Sequence, residues 1–145
     1  MKSLASNKRA KFDFDITDTY DAGLVLTGAE VKALKSGNAS LTGSYVKISP
    51  TGASLINAHI GAYKYAVQDG YEPTKSRKLL LNKKEINALI GKDKGSTIIP
   101  LEIYVGQRNL VKLKIGVGRG RKKEDKREYI KKRDTKREVS KSIDK

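Results

Sequence analysis

Period-two alternation is clearest near the end of the chain. Ile99, Leu101, Ile103 and Val105 alternate with their neighbours and Gly106 to Asn109 supply a turn. Val111, Leu113, Ile115 and Val117 then alternate again, with Lys112 and Lys114 on the opposite face. Successive side chains of a strand point to opposite faces, so this stretch predicts a β-hairpin. From Lys11 the same period sets Phe12, Phe14 and Ile16 against Asp13, Asp15 and Thr17, predicting a strand or extended arm, and Leu24 to Leu26 predict a second strand. Ser44 to Ser49 and Ala53 to Ala58 flank Pro50-Thr51-Gly52 and read as another hairpin. Tyr63 to Ser76, broken by Gly70 and Pro73, reads as the longest loop of the body, and Lys78 to Leu81 as a further strand.

Two short helices punctuate these strands. Thr27 precedes Glu30 by three residues, the spacing of a capping box, with Val31 and Leu34 on one face and Gly37 as the stop. Asn82 and Glu85 repeat the device, with Ile86, Leu89 and Ile90 on one face and Gly91 as the stop. Six or seven short strands, two short helices and no βαβ rhythm predict a mainly β fold: a small antiparallel barrel, closed or nearly so, with helices plugging its ends.

Charge changes the picture. The chain has 145 residues, with 31 Lys or Arg against 16 Asp or Glu, a formal charge of +15. From Gly118 to Lys145 there are 13 basic and 6 acidic residues, and the large apolar ones are Tyr129, Ile130, Val139 and Ile143. So little apolar surface cannot offset the entropy of ordering, so residues 118–145 are expected to form a basic tail that either orders on a polyanionic partner or stays a weakly ordered helix. Residues 1–117, with 18 basic and 10 acidic side chains, form the other unit and are also cationic. This distribution points to nucleic acid. Absence of Cys excludes a disulfide framework, a thiol nucleophile and a thiolate zinc site. No apolar run is long enough to span a bilayer and the N-terminus lacks a secretory apolar stretch, so a cytoplasmic protein without a membrane contact is expected.

Three basic groups are candidate RNA-binding positions: Asn7, Lys8, Arg9 and Lys11 before the first strand; Arg77 and Lys78 after the long loop; and Arg119, Arg121, Lys122 and Lys123 where the tail begins. Clustered cations neutralise phosphates, whereas isolated ones only solubilise a surface. Lys83 and Lys84 oppose the dipole of the second helix, a mild conflict that hints at an anion. Gly116-Val117-Gly118-Arg119-Gly120 lacks the flanking helix of a phosphate loop and reads as a hinge between body and tail. Asp13, Asp15, Asp18 and Asp21 suggest a metal-dependent nuclease only weakly, because no partnering His or second carboxylate cluster accompanies them; His59 reads as a structural hydrogen-bonding residue. No enzyme activity, cofactor or metal is expected. The scattered Tyr and Phe residues do not form a base-stacking signature, which favours recognition of folded RNA by backbone and shape. A general tRNA- or rRNA-binding protein, or an RNA chaperone of the translation machinery, fits these features as well.

Several strings are more particular. Asn7-Lys8-Arg9-Ala10-Lys11, the run from Asp21 to Lys32, Leu55-Ile56-Asn57-Ala58-His59-Ile60, Arg77-Lys78-Leu79-Leu80-Leu81 and Asp125-Lys126-Arg127-Glu128 together resemble the SmpB family, the SsrA-binding proteins of bacterial trans-translation. That resemblance spans almost the whole chain. It implies an OB-like barrel that binds the tRNA-like domain of tmRNA and brings it, with EF-Tu, to stalled ribosomes. It implies a tail that becomes helical in the vacant mRNA channel and meets small-subunit RNA at the decoding centre. It places Asn7, Asp21, Glu30 and Lys32 on the RNA-facing surface, Leu80 as core support beneath it, and Lys114, Gly116, Arg119 and Gly120 at the strand end and hinge. Asp125, Lys126, Arg127, Ile130, Lys131, Lys132 and Arg133 fall in the ribosome-binding tail. Glu124 stands where the family pattern has an aromatic residue or His. A monomer is expected.

Overall fold

The computed structural model describes residues 2–63, 70–92 and 95–120. Its elements in chain order are β1 (Lys2–Ser6), α1 (Ala10–Asp13), β2 (Phe14–Leu24), α2 (Gly28–Lys35), β3 (Ala39–Ser40), β4 (Tyr45–Ser49), β5 (Gly52–Ile56), β6 (His59–Ile60), β7 (Arg77–Leu80), α3 (Lys83–Ile90), β8 (Ser96–Val105) and β9 (Val111–Gly120). Seven strands form one antiparallel sheet in the order β1-β8-β9-β2-β7-β5-β4, and β3 pairs with β6 separately. The mainly β, antiparallel reading holds, and the sheet is compatible with an OB-like fold. It is not a closed barrel: β1 and β4 are its two edges and do not pair, although β4 comes into contact with β8 across the interior.

Both helices start as the sequence predicts. Thr27 Oγ1 accepts from the Glu30 amide at 3.2 Å while Glu30 Oε1 accepts from the Thr27 amide at 3.0 Å, and Asn82 and Glu85 form the same reciprocal pair at 2.8 and 3.2 Å. Gly37 follows α2 with φ +83°, the left-handed conformation a helix exit favours. On α3, Leu89 enters the core but Ile90 stays 47% exposed, because a two-turn helix lying on a sheet edge covers a narrower stripe than three apolar residues require.

Four expectations are corrected. Phe12 lies in α1, where the Phe12 and Asp13 amides donate to the Arg9 carbonyl and the Arg9 guanidinium stacks 5.1 Å from the Phe12 ring; these local bonds override the alternation. The predicted second strand at Leu24 is the end of β2, which continues through the polar Asp18 to Asp21 because main-chain pairing with β9 does not depend on side-chain polarity. Residues 2–6, which precede the first strand expected from the alternation, form a strand of their own, β1, against β8. Finally, the glycine segment predicted as a hinge is ordered strand: Gly116 to Gly120 pair with β2. Gly118 meets β2 beside the bulge between Ile16 and Asp18, where an added Cβ would run into the Asp15 carbonyl, so glycine serves close backbone approach here.

Inward-facing Leu24, Leu34, Leu55, Ile60, Leu79 and Leu113 fill the core between the curled sheet and α2. Among the described residues no helix is long and apolar enough to cross a membrane. Gly118→Ala is expected to cost about 1–3 kcal/mol in urea unfolding because backbone must move. Gly120→Ala, with nothing within 4 Å of the new methyl, should stay within about 0.5 kcal/mol.

Candidate nucleic-acid interface

The outer face of the sheet collects chemistry from four neighbouring strands. Strand alternation buries Ala22, Leu79, Ile103 and Leu113 and turns Asp21, Leu80, Glu102, Tyr104, Lys112 and Lys114 the other way. Register then sets rows across the strands. Asp21, Lys114 and Glu102 lie side by side on β2, β9 and β8, and the next row runs from Leu80 through Gly23 and Lys112 to Tyr104. Directly opposite side chains in such rows are within interaction range.

A hydrogen bond joins the rows: the Tyr104 hydroxyl donates to Asp21 Oδ1 at 2.7 Å. Tyr104 is 5% exposed although it stands outside the core cluster. Burial, then the Asp21 carboxylate it bonds and the charge of Glu102, push its hydroxyl up to about 12, so it remains a donor at any working pH. Leu80, expected as core support, is 56% exposed; in a run of three leucines only pairing decides the phase, and Leu79 takes the inward position. Gly23 lies opposite Leu80, whose Cβ would stand 3.1 Å from a methyl there.

The basic arm borders this face. Asn7 is stapled to β8, its side-chain amide donating to the Pro100 carbonyl at 3.0 Å and its backbone amide to the Leu101 carbonyl at 2.8 Å. Lys8 and Arg9 are exposed beyond it, Arg9 pairing with Asp13 at 3.5 Å, and Lys11 lies on α1. A cleft of about 460 Å³ under α1 brings Lys8 together with Glu102 and Lys114. A second, of about 700 Å³, lies on the other side of the arm, between the unpaired edges, with Tyr45 at its rim.

Two predicted RNA-facing residues belong to the interior instead. Arg77 and Glu30 are each 2% exposed and form an ion pair, Nε to Oε2 at 2.6 Å. All five guanidinium donors are used: Nη1 reaches the carbonyls of Ala58 and Lys75, and Nη2 reaches the Tyr71 hydroxyl and the Pro73 carbonyl. No donor remains for a phosphate. A buried charge must be paired, and the capping carboxylate of α2 was the partner that sequence spacing could not reveal, being 47 residues away. Burial alone would raise the Glu30 carboxyl, but the Thr27 amide, Arg77 and then Lys75 outweigh it and hold the group below its ordinary value.

Other predicted positions are on the surface. Lys32 is exposed on α2 with Nζ 5.6 Å from the Tyr63 ring centre, Lys78 is exposed on β7, and exposed Arg119 stands opposite Asp15. Arg121, Lys122, Lys123 and the whole ribosome-binding set from Asp125 to Arg133 lie outside the described residues, as does part of the predicted loop, 64–69. The four aspartates do not converge. Asp13 pairs with Arg9, Asp18 with Lys92 at 2.8 Å and Asp21 with Tyr104, and no group of three metal-ligating side chains occurs among the described residues. His59 is exposed on β6 rather than bonded into the interior. Sequence reasoning missed Glu102 and Tyr104 as site residues; alternation about the hairpin places both with Lys112 and Lys114.

A family model described as SmpB protein matches residues 4–145. An SsrA-binding protein of Shouchella clausii (strain KSM-K16) is 44% identical over 144 residues, covering 98% of this chain and 92% of its own. That of Sulfurihydrogenibium sp. (strain YO3AOP1) is 46% identical over 144 residues, covering 98% and 94%. Among solved structures, a chain from "tmRNA-SmpB: a journey to the center of the bacterial ribosome" is 37% identical, with a TM-score of 0.67 over 86% of this chain and 92% of that one.

The buried pair makes stability acid-sensitive. Since the Glu30 carboxyl is held below 4.5 in the folded chain, its contribution is complete above pH 4.5 and is lost as pH falls through the lowered value. Thermal midpoints measured downward from neutrality should fall in that range for the parent and fall less for Glu30→Gln. At neutral pH Arg77→Met, which strands the carboxylate, should cost about 3–5 kcal/mol in urea unfolding.

Proposed function

The chain belongs to the SmpB family, and from that premise we propose that it is an RNA-binding adaptor: it binds the tRNA-like domain of tmRNA and brings it to stalled ribosomes for trans-translation. The observation that carries this reading is the family match along nearly the whole chain. The outer sheet face supports it physically, because its lysines suit phosphates while its carboxylates and exposed Leu80 suit hydroxyls, base edges and apolar ring surfaces of folded RNA. Acting without catalysis, in the cytoplasm and as a monomer, the chain would be delivered together with EF-Tu.

Two RNA-contacting units divide the work in this proposal. The body, with Asn7, Lys8, Arg9, Lys11, Asp21, Lys32, Lys78 and Lys114, takes the tRNA-like domain, and Arg119, Arg121, Lys122 and Lys123 extend that contact. The basic tail takes small-subunit RNA in the mRNA channel and at the decoding centre through Asp125, Lys126, Arg127, Ile130, Lys131, Lys132 and Arg133. Glu30 and Arg77 shape the body from within and touch no RNA.

In gel shifts with the isolated tRNA-like domain, Lys32→Ala and Lys114→Ala should each weaken binding by about 1–2 kcal/mol, the range of a charge-assisted contact. Competition by ordinary tRNA as strong as by the tRNA-like domain would favour a general RNA-binding or chaperone role instead. Reversing Lys131, Lys132 and Arg133 together should abolish peptide tagging at stalled ribosomes with tmRNA affinity near normal; an equal loss of both would refute the division.

A further inference from the structure

Lys114 stands between two carboxylates, Asp21 on β2 and Glu102 on β8, its direct neighbours in the sheet register. Opposite charges in directly facing positions ordinarily attract and pair. Yet among the described residues no ion pair within 4.0 Å involves Lys114. The Asp21 carboxylate is turned elsewhere, across β9 to the Tyr104 hydroxyl at 2.7 Å. Tyr104 is paired in register with Lys112, one row away from Lys114, so this bond draws the carboxylate diagonally off its facing lysine.

We propose that Tyr104 is a positioning residue for RNA recognition: by holding Asp21 it keeps the Lys114 ammonium unneutralised for a phosphate and leaves Asp21 Oδ2 to accept from a sugar hydroxyl or a base amine. The inference rests on the tRNA-like-domain reading above. The tyrosine itself is 5% exposed and touches RNA little, so it acts through its two neighbours. A phenol suits the task better than a cation, because it donates one hydrogen bond without adding charge and stays protonated across the working range. Lys114 also lines the cleft beside Lys8 under α1, which places the freed charge where the basic arm ends.

Counting phosphates tests this. Binding of the tRNA-like domain is measured over a range of salt concentrations, where the slope of log affinity against log salt falls by roughly one for each phosphate that is no longer neutralised. Tyr104→Phe keeps the ring and frees Asp21 to pair with Lys114. It should weaken binding about tenfold and reduce the slope by roughly one unit. Asp21→Asn added to Tyr104→Phe should restore the parental slope, because an amide cannot neutralise Lys114. In a Lys114→Met background, Tyr104→Phe should leave the slope alone. A purely structural tyrosine would lower affinity without this pattern. An unchanged slope in Tyr104→Phe, or a reduced slope that persists in the double variant, overturns the inference while the functional reading stands. If the parent protein fails to bind the tRNA-like domain, the functional reading falls and this inference with it.

Discussion

A guanidinium with every donor engaged is the constraint around which the middle of the chain is arranged. Arg77 opens β7, yet its side chain holds the capping carboxylate of α2, the carbonyl that precedes β6 and the loop carbonyls of Lys75 and Pro73. Desolvating two charges is costly, and only complete hydrogen bonding offsets it. Three segments distant in sequence must therefore be in place together. Lys75 adds a second cation at 3.6 Å from Glu30 and covers the Tyr71 ring, so the loop closing over the pair is itself tied to it.

That interior device sets the stage for the surface. With α2 and β7 locked, β7 lines up against β2, and the outer face acquires continuous rows from Leu80 to Tyr104 and from Asp21 to Glu102. The rows mix lysines, carboxylates and an apolar side chain, which differs from a uniformly cationic patch. Uniform positive charge binds any polyphosphate, whereas interspersed acceptors penalise a phosphate at the wrong place and reward a donor at the right one. In the SmpB family reading, that combination suits one folded RNA surface among many in the cell.

Charge alone already pointed to nucleic acid, the two capping boxes located α2 and α3, and the alternation between Ile99 and Val117 defined the β8–β9 hairpin, because each of these signals is local. The family strings, Asn7 to Lys11 and Asp21 to Lys32 among them, carried the function further than any periodicity could. Tertiary structure alone decided which polar residues face outward. Arg77 and Lys78 are adjacent cations in the sequence, but strand alternation buries one and exposes the other, and only the distant Glu30 makes the buried choice tolerable. Leu79 and Leu80 are likewise indistinguishable until pairing with β2 assigns the phase. Gly118 serves close packing rather than hinge motion because a neighbouring bulge brings the Asp15 carbonyl against it. Contacts between residues dozens of positions apart depend on which strands become neighbours, and neighbour choice is a property of the whole core.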